Sequence, residues 1–400
     1  MKRLLSLLLT LQLMVGLLPT ALAAPSVSGQ DVTILFTHDM HSHLLPANDE
    51  TGNSYGGYAR LKTVIDQQKL LHPDAILVDG GDFSMGSLFQ TVYSTDAAEL
   101  RSMGALGYDV TTFGNHEYDY RATGLANMLN AAVASKEPLP SIVQVNYMPP
   151  REGDPDYDQD DAIVWEAFDT YGVQDYTVIQ RGGINFAVFG IMGFDADACA
   201  PMSGMILEDP VTAAQETVDW INQHVPEPRV VVCLSHSGTD PDPEKSEDEQ
   251  LAADVDGIDV IISGHTHSTL KEPIQINDTY IVSCGEYSKN LGVLSMSLNS
   301  EGLSISNYEL IPVNGNVADA EAMTVQIEEY KRMVEESYLT RFGGLTYDQL
   351  LAGNPHAFDS VSDLSTYHRV TIHTAHAISA SEAGWRRLYI SFALRYSDSE

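Results

Sequence analysis

Cysteine is scarce in this sequence. Only three occur in 400 residues, Cys199, Cys233 and Cys284, and none belongs to a CxxC pair. Domains that depend on disulfides carry more cysteines at closer spacings, so a disulfide framework is excluded as the main stabilising device. Cys233 and Cys284 lie in apolar, strand-like runs, which predicts buried free thiols.

Positive charge is scarce as well. The chain has 21 Lys and Arg against 56 Asp and Glu, a formal net charge of -35. Such a surface repels the phosphates of nucleic acids and of anionic lipids, so no nucleic-acid polymer is expected as a partner. A small anionic substrate would need a strongly positive local site, and a pair of metal ions is one way to make it.

Long apolar runs are absent after the first 23 residues. Residues 1–23 begin with Lys2 and Arg3, continue through a leucine-rich stretch and end at Ala23, which is the layout of a cleavable secretory signal. We therefore expect a secreted or periplasmic protein with no membrane span after cleavage. An uncleaved anchor is the alternative, and the short apolar core disfavours it.

Residues 31–313 alternate short β-branched runs with amphipathic stretches, a pattern typical of a layered α/β domain. Helices are predicted over 58–71 and 209–224. Hairpin turns at Gly182-Gly183 and at 300–302 predict mixed rather than purely parallel sheets. The predicted strands are 32–38, 75–81, 108–114, 141–147, 229–236, 259–265 and 280–285.

Metal-capable side chains stand where five of these strands end. They are Asp39, His41, Asp82, Asn115, His236, His265 and His267. Because ligands collect at the carboxyl ends of strands in open α/β sheets, we expect them to converge. Oxygen and imidazole ligands without thiolate suit two divalent ions such as Zn, Mn, Fe or Co, and Asp82 is predicted to bridge them. His38 and His43 are expected to have supporting or structural roles.

The motifs DMH (39–41), GD (81–82), GNHEYD (114–119), SHSG (235–238) and GHTH (264–267) together resemble the calcineurin-like metallophosphoesterase superfamily. They are most similar to its secreted or periplasmic 5′-nucleotidase branch, which includes UDP-sugar hydrolases and cyclic-nucleotide phosphodiesterases. The resemblance spans about 31–313 and implies a double β-sandwich flanked by helices, four αββα layers in all. It also implies that Asp82 is shared between a first ion bound by Asp39, His41 and His267 and a second bound by Asn115, His236 and His265.

Hydrolysis of nucleotide phosphomonoesters is the activity that this resemblance implies. A water held by both ions would attack phosphorus in line while the ions neutralise the phosphoryl oxygens. His116 is left without a metal, and Asp119 can orient its imidazole, so His116 can stabilise the transition state or protonate the leaving oxygen. Action on 2′,3′-cyclic nucleotides or UDP-sugars, and an inactive metal-binding protein, are the alternatives.

The C-terminal part departs from this pattern. Residues 317–340 predict a linker helix with one apolar stripe, and 341–368 resemble the start of the substrate-binding domain of two-domain nucleotidases. Residues 369–400 do not match that domain and carry four Arg against three Asp and Glu. We interpret this tail as the product of a frameshift or gene-model error, which resequencing the locus would test. The acidic stretches 150–161 and 241–250 are predicted to be solvated loops.

Overall fold

The computed structural model describes residues 30–299, 302–342 and 346–353. Strands β1 to β16 are, in chain order, Gln30–Thr37, Ala47–Asn48, Ser54–Tyr55, Ile76–Asp79, Val110–Thr111, Ser141–Ile142, Tyr147–Met148, Tyr176–Arg181, Ile184–Met192, Ile206–Leu207, Arg229–His236, Val260–Ser263, Ile274–Ile276, Thr279–Val282, Asn290–Asn299 and Gly302–Pro312. Helices α1 to α10 are Tyr58–Leu71, Tyr93–Asp96, Ala98–Leu106, Arg121–Ser135, Gln159–Tyr171, Phe194–Cys199, Pro210–His224, Glu247–Asp254, Glu321–Ser337 and Tyr347–Gly353. Short 3-10 helices cover Leu88–Val92, Asn115–Tyr118 and Leu339–Phe342.

Two six-stranded sheets form the centre of the fold. The first has the strand order β16-β15-β1-β4-β5-β6, and the second has the order β13-β14-β12-β11-β9-β8. Strands β1, β4, β5 and β6 are parallel, as are β9, β11, β12 and β14, while the remaining strands of both sheets pair antiparallel at the edges. The prediction of mixed sheets is therefore confirmed.

Alternating side chains of β1 show how the layers pack. Ile34 and Phe36 are fully buried between the two sheets, whereas Leu35 points to the opposite face and packs beneath the helices that cover the first sheet. On the outer face of the second sheet, Phe189 of β9 packs against Val218 of α7. Each face thus buries its own apolar set, the main stabilising term in such a fold. The result is the expected four-layer αββα sandwich.

Strands β5 and β6 are shorter than predicted. Each pairs with its neighbours over two residues, Val110–Thr111 and Ser141–Ile142, where the sequence predicted 108–114 and 141–147. Beyond Thr111 a side chain interrupts the ladder, because the Thr112 hydroxyl donates to the Val143 carbonyl at 2.8 Å. Because the pairing with β6 stops there, the chain after β5 can turn toward the carboxyl ends of the neighbouring strands.

The two acidic stretches are only partly loops, and the prediction was wrong where helices begin inside them. Asp158 is the N-cap of α5 and accepts hydrogen bonds from the backbone N–H groups of Asp160 and Asp161. Helix α8 begins at Glu247, with acidic residues in its first turn. Carboxylates at helix N-termini satisfy free N–H groups and favour the helix dipole.

Helix α9 packs on the helical layer that covers the first sheet. Its predicted apolar stripe is confirmed, since Met323, Ile327, Tyr330 and Val334 are all buried. Its role as a linker stays a prediction. The predicted signal (1–23), most of the predicted second-domain start and the whole tail lie outside the described residues. Among the residues that are described, no helix is long and apolar enough to cross a membrane.

Candidate metal centre

One group of predicted ligands forms where β1 and β12 end. Asp39 Oδ1 lies 3.6 Å from His41 Nε2 and 3.4 Å from His267 Nε2, and the two imidazole nitrogens are 3.0 Å apart. Asp39 and His41 are almost completely buried. The structure therefore brings three of the four side chains predicted for the first ion into one cluster.

A second group forms beside the first. Asn115 Oδ1 lies 3.2 Å from His236 Nε2 and 3.0 Å from His265 Nδ1. Asp82 stands between the groups, because its Oδ2 is 3.2 Å from His236 Nε2 and 3.7 Å from His41 Nε2. All seven predicted side chains thus converge, with Asp82 in the position that a bridging ligand requires.

The hydrogen bonds of these side chains fit divalent cations. Asp39 Oδ2 accepts from His38 Nδ1 and from the His265 backbone N–H, whereas the buried Asp39 Oδ1 has no hydrogen-bond partner. His41 Nδ1 donates to the Met85 carbonyl at 3.0 Å, which leaves the Nε2 lone pair facing the cluster. An unpaired buried oxygen and inward lone pairs are costly without a cation, so the donor set matches a metal site.

The backbone at these ligands is unusual. Asp39, Asp82 and His265 have φ values of 51°, 52° and 70°, and His41 and His267 also lie in the left-handed region. Residues other than glycine rarely adopt this conformation, which costs about 1–3 kcal/mol and concentrates at functional sites. The sequence does not predict this left-handed conformation, because glycine is the residue that usually indicates it and none of these residues is glycine.

The glycines before the motifs act in two different ways. Gly81 has a φ of 89° and makes a sharp turn before Asp82. Gly114 has a φ of -103°, an extended conformation that any residue can adopt, so the backbone conformation does not require glycine there. A Cβ at Gly114 would lie 2.2 Å from Asp82 Oδ1, and glycine is needed because the backbone approaches the predicted bridging ligand so closely.

Glu117 ties the ligand segments together, a role that the sequence analysis missed. Its buried carboxylate accepts hydrogen bonds from the backbone N–H groups of Gly114 at 2.6 Å, Asp82 at 3.0 Å and Ser84 at 3.0 Å. The Ser84 hydroxyl donates to it as well. Its place inside GNHEYD was the available signal, but sequence alone does not show which carboxylate faces inward.

His116 lies at the exposed side of the centre. Its Nδ1 is 2.9 Å from Asp119 Oδ2, and its backbone N–H donates to Asp82 Oδ1 at 2.8 Å. Burial acts to lower the pKa of His116, but the carboxylates of Asp82 and Asp119 outweigh burial and raise the pKa to about 10. Because 38% of the side chain is exposed, Nε2 is accessible to a bound molecule.

Tyr287 was not predicted from the sequence and closes one side of the centre. Its backbone N–H donates to the Asp39 carbonyl at 2.8 Å, and its ring stacks on His43 at 4.1 Å between centroids. Burial is the main cause that lowers the pKa of His43 to about 3. A neutral, stacked His43 is in keeping with the structural role expected for it.

Comparison with known proteins places this arrangement in a family. The family model described as calcineurin-like phosphoesterase matches residues 32–269. A 5′-nucleotidase from Rattus norvegicus is 26% identical over 361 residues, which cover 80% of this chain and 56% of that protein. A 2′,3′-cyclic-nucleotide 2′-phosphodiesterase/3′-nucleotidase from Yersinia enterocolitica is 27% identical over 328 residues, which cover 73% of this chain and 47% of that protein.

A solved structure shows the same fold. The 5′-nucleotidase precursor from Thermus thermophilus superimposes with a TM-score of 0.61 and 21% identity, over 76% of this chain and 59% of that one. The chain spans about half the length of the curated relatives from Rattus norvegicus and Yersinia enterocolitica. Because the family model covers more than half of the chain, we conclude that this protein belongs to the calcineurin-like phosphoesterase family.

Proposed function

We propose that this protein hydrolyses the phosphate monoester of 5′-nucleotides with the help of two divalent ions. The observation that carries the proposal is the position of Asp82 between two groups of inward-facing ligands, with His116 beside them. Calcineurin-like phosphoesterases use divalent metals. The nucleotide substrate is proposed from the Rattus norvegicus relative, which is named a 5′-nucleotidase.

The ligand geometry supports a division into two ion sites. Asp39, His41 and His267 would hold the first ion and Asn115, His236 and His265 the second, with Asp82 shared. When bound, such ions activate a water molecule and neutralise charge on the phosphoryl oxygens. The chain contributes fixed ligand directions, since His41 is oriented by the Met85 carbonyl and His236 Nδ1 donates to the Gly80 carbonyl at 2.9 Å.

His116 and Asp119 form the proposed acid pair. With Nδ1–H donated to Asp119, the exposed Nε2–H of His116 is directed away from that carboxylate and can donate to a phosphoryl oxygen or to the leaving oxygen. The Asp119 carboxylate beside Nδ1 favours the imidazolium form of His116, which has a proton to give. Asp119 would act as a positioning residue because its carboxylate accepts a hydrogen bond from the imidazole Nδ1.

Hydrolysis of 2′,3′-cyclic nucleotides is a second candidate. It is supported by the Yersinia enterocolitica relative, whose name includes that activity. The same ion pair and the same His116 would serve a phosphodiester, because both reactions displace an oxygen from phosphorus. Export from the cell is also part of the proposal, although the predicted signal lies outside the described residues.

Hydrolysis by the full chain with Mn²⁺ tests these proposals. Phosphate release is measured with a 5′-nucleoside monophosphate and an aryl phosphate, and formation of the ring-opened nucleoside monophosphate is measured by chromatography with a 2′,3′-cyclic nucleotide. Asp82→Asn should abolish release, and His116→Ala should lower turnover more than tenfold while the bound metal is unchanged. His224→Ala, at the exposed end of α7, is the matched control. If two ions bind and no substrate is hydrolysed, the inactive metal-binding alternative is correct; if His116→Ala loses metal, His116 is a ligand instead.

A further inference from the structure

Helix α6 presents two potential metal ligands to the side of His265 that faces away from the metal centre. Asp195 and Cys199 are four residues apart and share one face of the helix. Asp195 Oδ2 lies 2.9 Å from His265 Nε2, and ligand atoms of Asp195, Cys199 and His265 all lie within 4.8 Å of one another. Carboxylate, thiolate and imidazole are the three donor types that Zn²⁺ uses in proteins.

The start of α6 is held firmly in place. The Glu247 carboxylate accepts hydrogen bonds from the backbone N–H groups of Phe194 at 2.8 Å and Asp195 at 3.0 Å. A Cβ at Gly193 would lie 2.4 Å from Glu247 Oε2, so this close approach requires glycine. The position of Asp195 beside His265 is therefore set by the fold.

We propose that Asp195, Cys199 and His265 form a binding site for a thiophilic divalent cation such as Zn²⁺, and that occupation of this site draws His265 away from the metal centre. The second half of the proposal rests on the proposed function, in which His265 holds the second ion. The first half depends only on the three side chains and their distances.

The two sites compete because a neutral imidazole has a single lone pair. With Nε2–H donated to Asp195, the Nδ1 lone pair faces Asn115 and the metal centre. A cation between Asp195 and Cys199 takes the lone pair on Nε2 instead, and the ring proton then sits on Nδ1, where it is donated to Asn115 Oδ1. The Cys199 thiol proton is released to solvent as the sulfur binds the cation.

Cys199 is also the accessible thiol. Cys199 is exposed, whereas Cys233 and Cys284 are completely buried in the sheets. Asp195 is 72% exposed in its side chain, so a cation can approach both helix ligands from solvent. Cys199 is thus the cysteine that a soft cation would reach in the folded protein.

Cadmium titration of the full, Mn²⁺-loaded chain tests the site, with the ultraviolet absorption of the cadmium–thiolate bond as the readout. We expect one cadmium–thiolate bond per chain, none in Cys199→Ser, an unchanged signal in the control Cys233→Ala, and at least tenfold weaker binding in Asp195→Asn. Equal cadmium binding by Cys199→Ser would overturn the site. Full affinity in Asp195→Asn would show binding by the thiol alone and would also overturn it.

Competition is measured in the same samples. Raising the Mn²⁺ concentration should raise the apparent Kd for Cd²⁺ in proportion, and Cd²⁺ should inhibit phosphate release at concentrations that leave Cys199→Ser unaffected. An apparent Kd independent of Mn²⁺ would overturn the withdrawal of His265. The cadmium–thiolate absorption does not depend on turnover, so a protein that hydrolyses nothing would contradict the proposed function without affecting the test of the site.

Discussion

His38 orients Asp39 in the candidate metal centre, and replacing His38 by alanine should lower both the stability of the fold and the affinity for metal. The side chain is completely buried. Its Nε2 accepts hydrogen bonds from the backbone N–H groups of Cys284 at 2.9 Å and Gly285 at 3.1 Å, so the ring proton lies on Nδ1. Nδ1 donates to Asp39 Oδ2 at 2.6 Å, which turns the unpaired Oδ1 toward His41 and His267.

The size of the effect follows from these contacts. His38→Ala leaves the buried Cys284 N–H without an acceptor, which costs about 1–3 kcal/mol, whereas the Gly285 N–H keeps the Ser268 carbonyl at 2.9 Å. We therefore expect the free energy of unfolding to fall by roughly 2–4 kcal/mol, including the cavity that is left. Loss of the partner that orients a metal ligand typically lowers metal affinity by about 10–100-fold, and we expect that range for Mn²⁺.

Two measurements check this prediction. Denaturant unfolding in the presence of a chelator gives the stability change, and calorimetric titration with Mn²⁺ at a temperature where both proteins are folded gives the affinity. The matched control is His72→Ala, since His72 is half-buried and contacts Thr33 at the far end of the same strand. An Mn²⁺ affinity within twofold of wild type in His38→Ala would refute the orienting role, and unchanged stability would refute the argument from the unpaired Cys284 N–H.

Three further predictions concern the surroundings of the site. Glu117→Gln turns an acceptor into an N–H₂ group facing backbone donors and should lower the free energy of unfolding by about 2–4 kcal/mol in chemical denaturation. Gly114→Ala should weaken Mn²⁺ binding at least tenfold in a titration, because its Cβ would meet Asp82 Oδ1, whereas Gly315→Ala has room and should not. Burial raises the pKa of Glu99 from 4.5 to about 7. The contribution of Glu99 to stability should therefore fall by about 3 kcal/mol as the pH rises from 4.5 to 7. The stability of Glu99→Gln relative to wild type, measured by thermal unfolding, should rise by about that amount over the same pH range.

Much of the fold could be predicted from local pattern. Buried parallel strands are continuous apolar runs, so β1, β4, β11 and β12 were recognisable, and a ligand at the end of each could be expected to meet the others. Strands β5 and β6 could not be delimited, because the side-chain hydrogen bond from Thr112 that shortens the ladder is a tertiary contact. Local pattern predicts which residues are buried, but it does not predict over how many residues two strands pair.

The residues around the ligands were harder to predict for a related reason. Asp195 reaches His265 from a segment 70 positions earlier in the chain, and nothing in the residues near Asp195 marks it as part of a site. Tyr287 likewise joins the centre through its backbone N–H, a group that every residue except proline has. Ligands stand out in sequence because of their chemistry, whereas their supports depend on tertiary placement.

Electrostatics connects the proposed activity with the additional cation site. Asp39 and Asp82 bring two negative charges to the centre of a chain whose net charge is -35, so the centre repels phosphate unless cations are bound. The two divalent ions of the proposed function would reverse the local sign and leave a net charge of about +2, which would match a phosphate monoester dianion. In the proposed arrangement His265 would bind the second ion through Nδ1, so a cation that captures Nε2 would weaken the binding of that ion. The captured cation would thereby lower the positive charge that attracts the substrate, although it would not itself lie in the substrate-binding position.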